Sequence, residues 1–404
     1  MEQEKRSSFT FADLVVVIVM IVILCGLLLP GLQRMHDPSP RMVCVNKLKQ
    51  LGIAVHNYHD TYVTAIPAGC FHVASFDPAV DPPTEYGSRR VSGFVALLPF
   101  IEMTSAYDRL MEQKLHFNMN QDASNSEQPG VGLGPLNEDV PWYPFYCPSD
   151  GGAQKRGGNE QQRTSYRFCF GDFPPHSGGF EIYNAGPKLH YTADDRGLEP
   201  GQIDSVNRGM FGMQCWNSFA DVTDGLSNTV MFSEHAVAVD SQDVRQGLAV
   251  DPAAVRNAYD FPASEKDGPK DDARHCFDLR DKKGKYPAKI EVLDWSGKRL
   301  ADGAVVYSGF VTVLPPNSPS CIAGSDNAQP ARAILSASSH HKGGVNTVLG
   351  DSAVKFISDD IDWTTDLETH KPHADAFFRL KGLSKFGVWG ALGSRNSGDS
   401  TSTP

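Results

Sequence analysis

An apolar run from Leu14 to Leu29 follows directly on a polar leader carrying Lys5 and Arg6, and few water-exposed folds accept such a segment. Taken as a helix from Phe9 to Leu29, at about 1.5 Å per residue, it matches a hydrocarbon core of roughly 30 Å. Asp13 sits near its start. An ionisable group inside an apolar segment is costly in lipid, so it needs a partner or a task. A secretory signal has a shorter apolar core and ends at a small-x-small cleavage site. Here the run continues into Pro30, Gly31, Leu32 and Gln33 without one, and the bulky Leu24 before Cys25 disfavours a lipoprotein. A buried core helix needs no polar leader. The expectation is a retained single-pass anchor in the inner (cytoplasmic) membrane. Lys5 and Arg6 place the N-terminus in the cytoplasm and the body in the periplasm or outside the cell.

Around the leader, Ser8-Phe9-Thr10-Phe11-Ala12-Asp13-Leu14-Val15 resembles a type IV prepilin signal. That pattern has a basic leader, a small residue before the cut, Phe-Thr, a Leu-Val pair and an acidic residue at the fifth mature position. The resemblance implies that a prepilin peptidase cuts between Ser8 and Phe9 and methylates the new amino terminus. It implies too that Asp13 pairs with the terminal amine of a neighbouring pilin-like subunit. Two residues depart from the pattern: Ser8 stands where Gly is usual, and Asp13 where Glu is usual.

After the anchor, Pro30, Pro38 and Pro40 interrupt the helix, and Pro40 suits the first turn of a new one. Cys44, Leu48, Leu51, Val55, Tyr58 and Tyr62 recur at spacings of 4, 3, 4, 3 and 4, which predicts one buried stripe. Lys47, Lys49, Gln50, Asn57 and Asp60 are expected to face elsewhere. Beyond residue 66 the chain reads as short strands and turns, with an apolar segment from Gly93 to Glu102, a short helix over 105–115 and a long loop over 116–140. Residues 263–300 are charge-dense and read as a solvated insertion. Ser394 to Pro404 reads as a disordered tail. The expected division is a leader over 1–8, a transmembrane helix over 9–29, a jointed amphipathic helix over 30–65, an extracytoplasmic β-rich domain over 66–393 and a tail over 394–404. The fold class is α+β. The pilin plan implied by the resemblance is a long N-terminal transmembrane and amphipathic helix packed on an antiparallel sheet, here enlarged by loop and strand insertions.

The net charge of −11 over 404 residues argues against a nucleic-acid partner. Seven cysteines lie beyond the anchor, at positions 44, 70, 147, 169, 215, 276 and 321, and none forms a C-x-x-C. Outside the cytoplasm some can pair, and the odd count leaves at least one over.

Several segments together resemble a planctomycete-type family of prepilin-like proteins carrying domain of unknown function 1559. They are Asn46 to Gly52 with His56-Asn57-Tyr58-His59-Asp60, Cys147-Pro148-Ser149-Asp150, Asp221 to Thr229, and His341 followed after nine residues by Asp351. The family's last motif ends in Asp-Gly, whereas Asp351 precedes Ser352. The resemblance implies location and fold and supplies no established activity.

The residues give these motifs a physical reading. Val345 to Leu349 and Ala353 to Ile357 read as two strands joined at Gly350-Asp351-Ser352, a hairpin for which Gly350 in first place suits a type II′ turn. His341 and Asp351 could meet across it on a metal, but two ligands fall short of the three or four of a zinc site, so a structural role is expected. Asp221, Asp224, Ser227 and Asn228 around Gly225 offer oxygen ligands of the kind Ca²⁺ takes. The spacing is not that of an EF-hand and turns need the same residues, so Asp221, Asp224 and Asn228 stand as calcium candidates beside an ordinary turn. His56 and Asp60 are placed to pair at i and i+4. No nucleophile elbow, phosphate loop, zinc-protease or dinucleotide signature occurs, so no enzyme activity is expected. The expected function is a pilin- or pseudopilin-like component of a type II secretion or type IV pilus-like system. The alternative is a helix-tethered module binding a solute or polysaccharide, with Trp142, Tyr143, Phe145 and Tyr146 as candidate aromatics.

Overall fold

A computed structural model of the chain describes residues 11–21, 40–62, 64–71, 91–112, 143–154, 162–172, 208–212, 216–251, 273–322, 324, 333–363, 383–384 and 386–398. Ser8, Phe9, Cys25, Trp142, Cys215 and the expected loop over 116–140 lie outside them. Residues 11–21 are helical and exposed, with Asp13 among them. Among the described residues no helix is long and apolar enough to cross a membrane.

The long helix α1 spans Pro40–Thr61. It opens on Pro40, whose missing N–H would have no intrahelical acceptor at that position anyway. It closes where Thr61 Oγ1 donates to Asn57 O and the chain turns through Thr64 at φ 69°. Cys44, Leu48, Leu51, Val55 and Tyr58 are buried along one face, as the spacing predicts. Tyr62 is half exposed. Lys47 breaks the expectation: it is buried, its amine donating to Tyr146 O at 2.7 Å and lying 4.2 Å from the Tyr146 ring. A long aliphatic stem lets a lysine sit in an apolar face when its head finds an acceptor.

The strands, in chain order, are β1 (Cys70–Phe71), β2 (Val91–Ser92), β3 (Tyr166–Cys169), β4 (Val230–Glu234), β5 (Leu248–Val250), β6 (Val292–Leu293), β7 (Gly309–Phe310), β8 (Ser320–Ile322), β9 (Ala333–Ile334), β10 (Gly344–Leu349) and β11 (Val354–Ser358). They form a two-stranded ribbon, a five-stranded sheet in the order β11-β10-β4-β3-β7 and a four-stranded sheet in the order β6-β5-β8-β9. The fold is therefore mixed α+β. Both larger sheets depart from the antiparallel expectation, because β3 pairs parallel with β7 and β5 parallel with β8.

Helix α1 lies across β10 and β4. Between helix and sheet sits an aromatic core in which Phe168 meets Phe94 at 4.3 Å, Phe211 at 4.8 Å and Phe232 at 4.9 Å. Tilted and edge-on rings at these distances add to the burial of their area. The apolar segment from Gly93 coils rather than extends, as helix Gly93–Leu97 running into a 3₁₀ turn, and Thr104–Glu112 forms the expected short helix.

The β10–β11 hairpin is present, with a different turn from the one expected. Ser352 N donates to Leu349 O, Leu349 N donates to Ala353 O, and Ser352 takes φ 64°. This is a three-residue loop, a type I turn followed by a left-handed residue. The left-handed place falls to Ser352, the position of the motif's Gly. The tail expected from Ser394 is ordered through Gly398: Ser394, Arg395 and Ser397 are buried.

Candidate functional site

Two motif segments converge beneath the first turns of α1. Cys44 forms a disulfide with Cys147, their Cα atoms 4.9 Å apart. Cys147 opens a turn in which Asp150 N donates to Cys147 O at 2.9 Å. The Asp150 carboxylate then accepts from Gly152 N, Ala153 N, Ser165 Oγ and Val237 N, fastening the turn to β3 and to the chain beyond β4. The Cys-Pro-Ser-Asp motif is thus a turn clamp that fixes where the sulfur points.

The opposite wall comes from the sheet. Glu234, at the end of β4, is 2% exposed. Its Oε2 accepts Asn346 N at 2.8 Å, replacing a strand-to-strand bond, and Asn346 Nδ2 lies 3.0 Å from both oxygens. His341 stands just before β10, its backbone N held by Ser339 Oγ at 3.0 Å while that hydroxyl donates to Gly344 O at 2.8 Å. The His341 ring Nε2 is 3.1 Å from Glu234 Oε1 and 3.7 Å from Cys147 Sγ. One ligand-type atom each from Cys44, Cys147, Glu234 and His341 lies within 4.8 Å of the others. With both sulfurs as thiolates that would be a sulfur, imidazole and carboxylate set of the kind zinc takes; joined in the disulfide, the two sulfurs are not ligands.

The match to known families decides how far the resemblance reaches. A family model described as protein of unknown function (DUF1559) covers residues 40–364. The chain belongs to the DUF1559 family. No curated protein and no solved structure matches it. The DUF1559 region begins on the first residue of α1 and takes in the disulfide, the His341–Glu234 pair and the β10–β11 hairpin, while Ser8, Phe9 and Asp13 precede it.

Within the DUF1559 region the anticipated residues separate. His341 belongs to the cluster, but Asp351 lies at the other end of β10, where its Oδ1 accepts Ala353 N at 2.9 Å. Asp221 forms a capping box with Ser218. Asp224 accepts Ser397 N, Ser397 Oγ and Gly398 N, so it anchors the tail. Asn228 Nδ2 donates to Asp224 O at 3.1 Å. The carboxylates of Asp221 and Asp224 are thus spent on separate N–H and O–H donors, and Asn228 points its amide nitrogen, not its oxygen, at Asp224 O. His56 contacts Gly350 O at 2.8 Å, and it is His59 that lies beside Asp60, at 3.5 Å. Of the aromatics proposed for a ligand face, Phe145 is buried in the core.

A second polar cluster lies deeper. Arg167 is fully buried, its Nη atoms donating to Gly309 O, Val306 O and Ser296 Oγ. Burial pulls its guanidinium down to about 9. His235 contacts the same Ser296 hydroxyl, and burial together with the Arg167 charge holds its imidazole well below the usual range. A neutral His235 wedged between β4 and the chain at Ser336 and Ser338 ties strands together; it faces no solvent.

Proposed function

We propose that this protein is a membrane-anchored, pilin- or pseudopilin-like extracytoplasmic component of a type II secretion or type IV pilus-like assembly. One arrangement carries the reading: an exposed apolar helical stretch over 11–21 precedes a long helix whose inner face is buried across a sheet. An apolar helix exposed in this way is stable in a bilayer or against like helices of neighbouring subunits. The Cys44–Cys147 disulfide supports a body that matures outside the cytoplasm. In this reading Asp13 meets the amine of an adjacent subunit and Ser8-Phe9 is the processing point. The test is intact-mass and N-terminal sequencing of protein extracted from membranes. A mature chain beginning at N-methylated Phe9 is the expected result; a leader still present through Ser8 would sink the assembly reading.

The second reading, a helix-tethered solute- or polysaccharide-binding module, draws on one surface. Tyr62 and Trp216, each 51% exposed, lie beside Tyr58 at the C-terminal end of α1, where Phe100 packs on both tyrosines. Exposed rings of this kind suit sugar faces. Retention on immobilised polysaccharide that is lost in Trp216→Ala would favour it over the assembly role.

A further inference from the structure

We propose that Cys44, Cys147, His341 and Glu234 form a zinc site that the Cys44–Cys147 disulfide holds closed, and that opening the disulfide with a dithiol reductant creates it. The argument starts from edge lengths. A tetrahedral zinc with bonds of about 2.0 Å to nitrogen and oxygen and about 2.3 Å to sulfur places N and O roughly 3.3 Å apart and N and S roughly 3.5 Å apart. The distances from His341 Nε2 are 3.1 Å to Glu234 Oε1 and 3.7 Å to Cys147 Sγ. One ring nitrogen faces both, although a nitrogen carries either one proton or one lone pair and cannot serve two acceptors well. A cation at the centre is bound by all of them at once.

The surroundings already have the features a metal site needs. Glu234 is fixed by Asn346 through both its oxygens, the outer contact that orients a carboxylate ligand. His341 is held at its backbone by Ser339. Cys44 and Cys147 come from a helix and a clamped turn whose Cα atoms are 4.9 Å apart, close enough for both sulfurs to reach one ion after side-chain rotation. In the disulfide form the sulfurs are bonded to one another and neither is a thiolate, so the set is incomplete.

The chemistry balances. The dithiol gives two electrons and two protons to the S–S bond and becomes a disulfide itself, while Cys44 and Cys147 become thiols. Zn²⁺ then displaces both thiol protons to solvent and takes two thiolates, neutral His341 and the Glu234 carboxylate. The metal-filled site carries one net negative charge, and Lys47, a turn along α1 from Cys44, holds its amine on the carbonyl of Tyr146, the residue before Cys147.

The experiment uses the full chain in detergent micelles, reduced with dithiothreitol, desalted without oxygen and titrated with Co²⁺. Expected is one equivalent bound, with thiolate-to-cobalt charge transfer in the near ultraviolet, tetrahedral bands in the visible and displacement by Zn²⁺. The unreduced protein should show none of these. His341→Ala and Cys147→Ser should abolish the bands, Glu234→Gln should weaken affinity about tenfold or more, and a Cys276→Ser/Cys321→Ser variant should keep them. Absence of bands in the reduced wild-type chain overturns the proposal without reference to any variant. Bands that appear before reduction, or that survive His341→Ala and Cys147→Ser, overturn it equally.

Discussion

Ser352 and Gly52 meet face to face where the β10–β11 hairpin turns beneath α1: a methyl group built on Gly52 would lie 2.9 Å from Ser352 Oγ and 3.0 Å from Val348 Cγ2. Gly52 is thus a point of close approach between helix and hairpin, and Ser352 packs against it. Ser352 does so from a left-handed conformation, with a buried hydroxyl that has no hydrogen-bond partner among the described residues.

Replacing Ser352 with Gly should therefore stabilise the protein by about 1 kcal/mol. The change removes a left-handed non-glycine residue, a cost of roughly 1 kcal/mol, and an unsatisfied buried hydroxyl, less the packing lost against Gly52. Gly52→Ala should cost about 1 kcal/mol in the wild-type chain, because overpacking of roughly 1–3 kcal/mol outweighs the helix propensity gained. In the Ser352→Gly background that loss should shrink, since only the Val348 contact remains. Denaturant melts of the four proteins form the cycle; strictly additive effects would show that the two residues do not touch.

The two disulfides should differ in what they contribute. Cys44–Cys147 closes a separation of 103 residues and Cys276–Cys321 one of 45. Loop-closure entropy predicts losses of about 4–5 and about 4 kcal/mol as upper values, so removing Cys44–Cys147 should be the more damaging. Peptide mapping without reduction should recover both linked pairs, and melting of Cys44→Ala/Cys147→Ala beside Cys276→Ala/Cys321→Ala gives the order. Burial pushes the Cys169 thiol up to about 12, so alkylation of the native protein at neutral pH should spare it.

Asp150→Ala should destabilise by about 3 kcal/mol. Four donors, Gly152 N, Ala153 N, Ser165 Oγ and Val237 N, converge on this one carboxylate. Each buried donor left unmet costs on the order of 1 kcal/mol or more, with water entering to meet some of them. A shift in the urea midpoint at unchanged slope is the expected signature. A loss below about 0.5 kcal/mol would mean that the Cys-Pro-Ser-Asp turn holds without its aspartate.

The stripe from Cys44 to Tyr58 was legible because a helix repeats its buried face every three or four residues, and the β10–β11 hairpin because two β-prone runs flank a turn. Lys47 was not, since its burial depends on Tyr146, a residue distant in sequence that supplies both a carbonyl and a ring. The parallel pairs β3–β7 and β5–β8 rest on strands of two to four residues, too short to show a period. His341 stood out as a ligand type, but its partner Glu234 is 107 residues away and arrives through the pairing of β4 with β10. Spacing along the chain cannot report a contact that sheet register creates. Ser352 misdirected the turn assignment for a related reason: its identity gave no sign of the left-handed conformation the loop requires of it.

Lys47 gives the pH dependence. Burial lowers its amine to about 8, against an ordinary 10.5 in the unfolded chain. Between those values the unfolded chain binds more protons than the folded one, so stability from this residue rises as pH increases from about 8 toward 10.5. Below that window both states are protonated and the cost of burying the charge is present in full; above it both are neutral and the cost is gone. Cys169 acts oppositely, since its raised thiol makes the folded state lose stability above pH 9. The difference between wild type and Lys47→Met isolates the lysine. Lys47→Met should be the more stable protein at pH 7, by on the order of 1 kcal/mol once the lost bond to Tyr146 O is counted. That advantage should narrow steadily as pH is raised to 9.5. Thermal melts at half-unit steps measure it, and an advantage that stays constant across the range would mean that Lys47 keeps its charge in the folded protein.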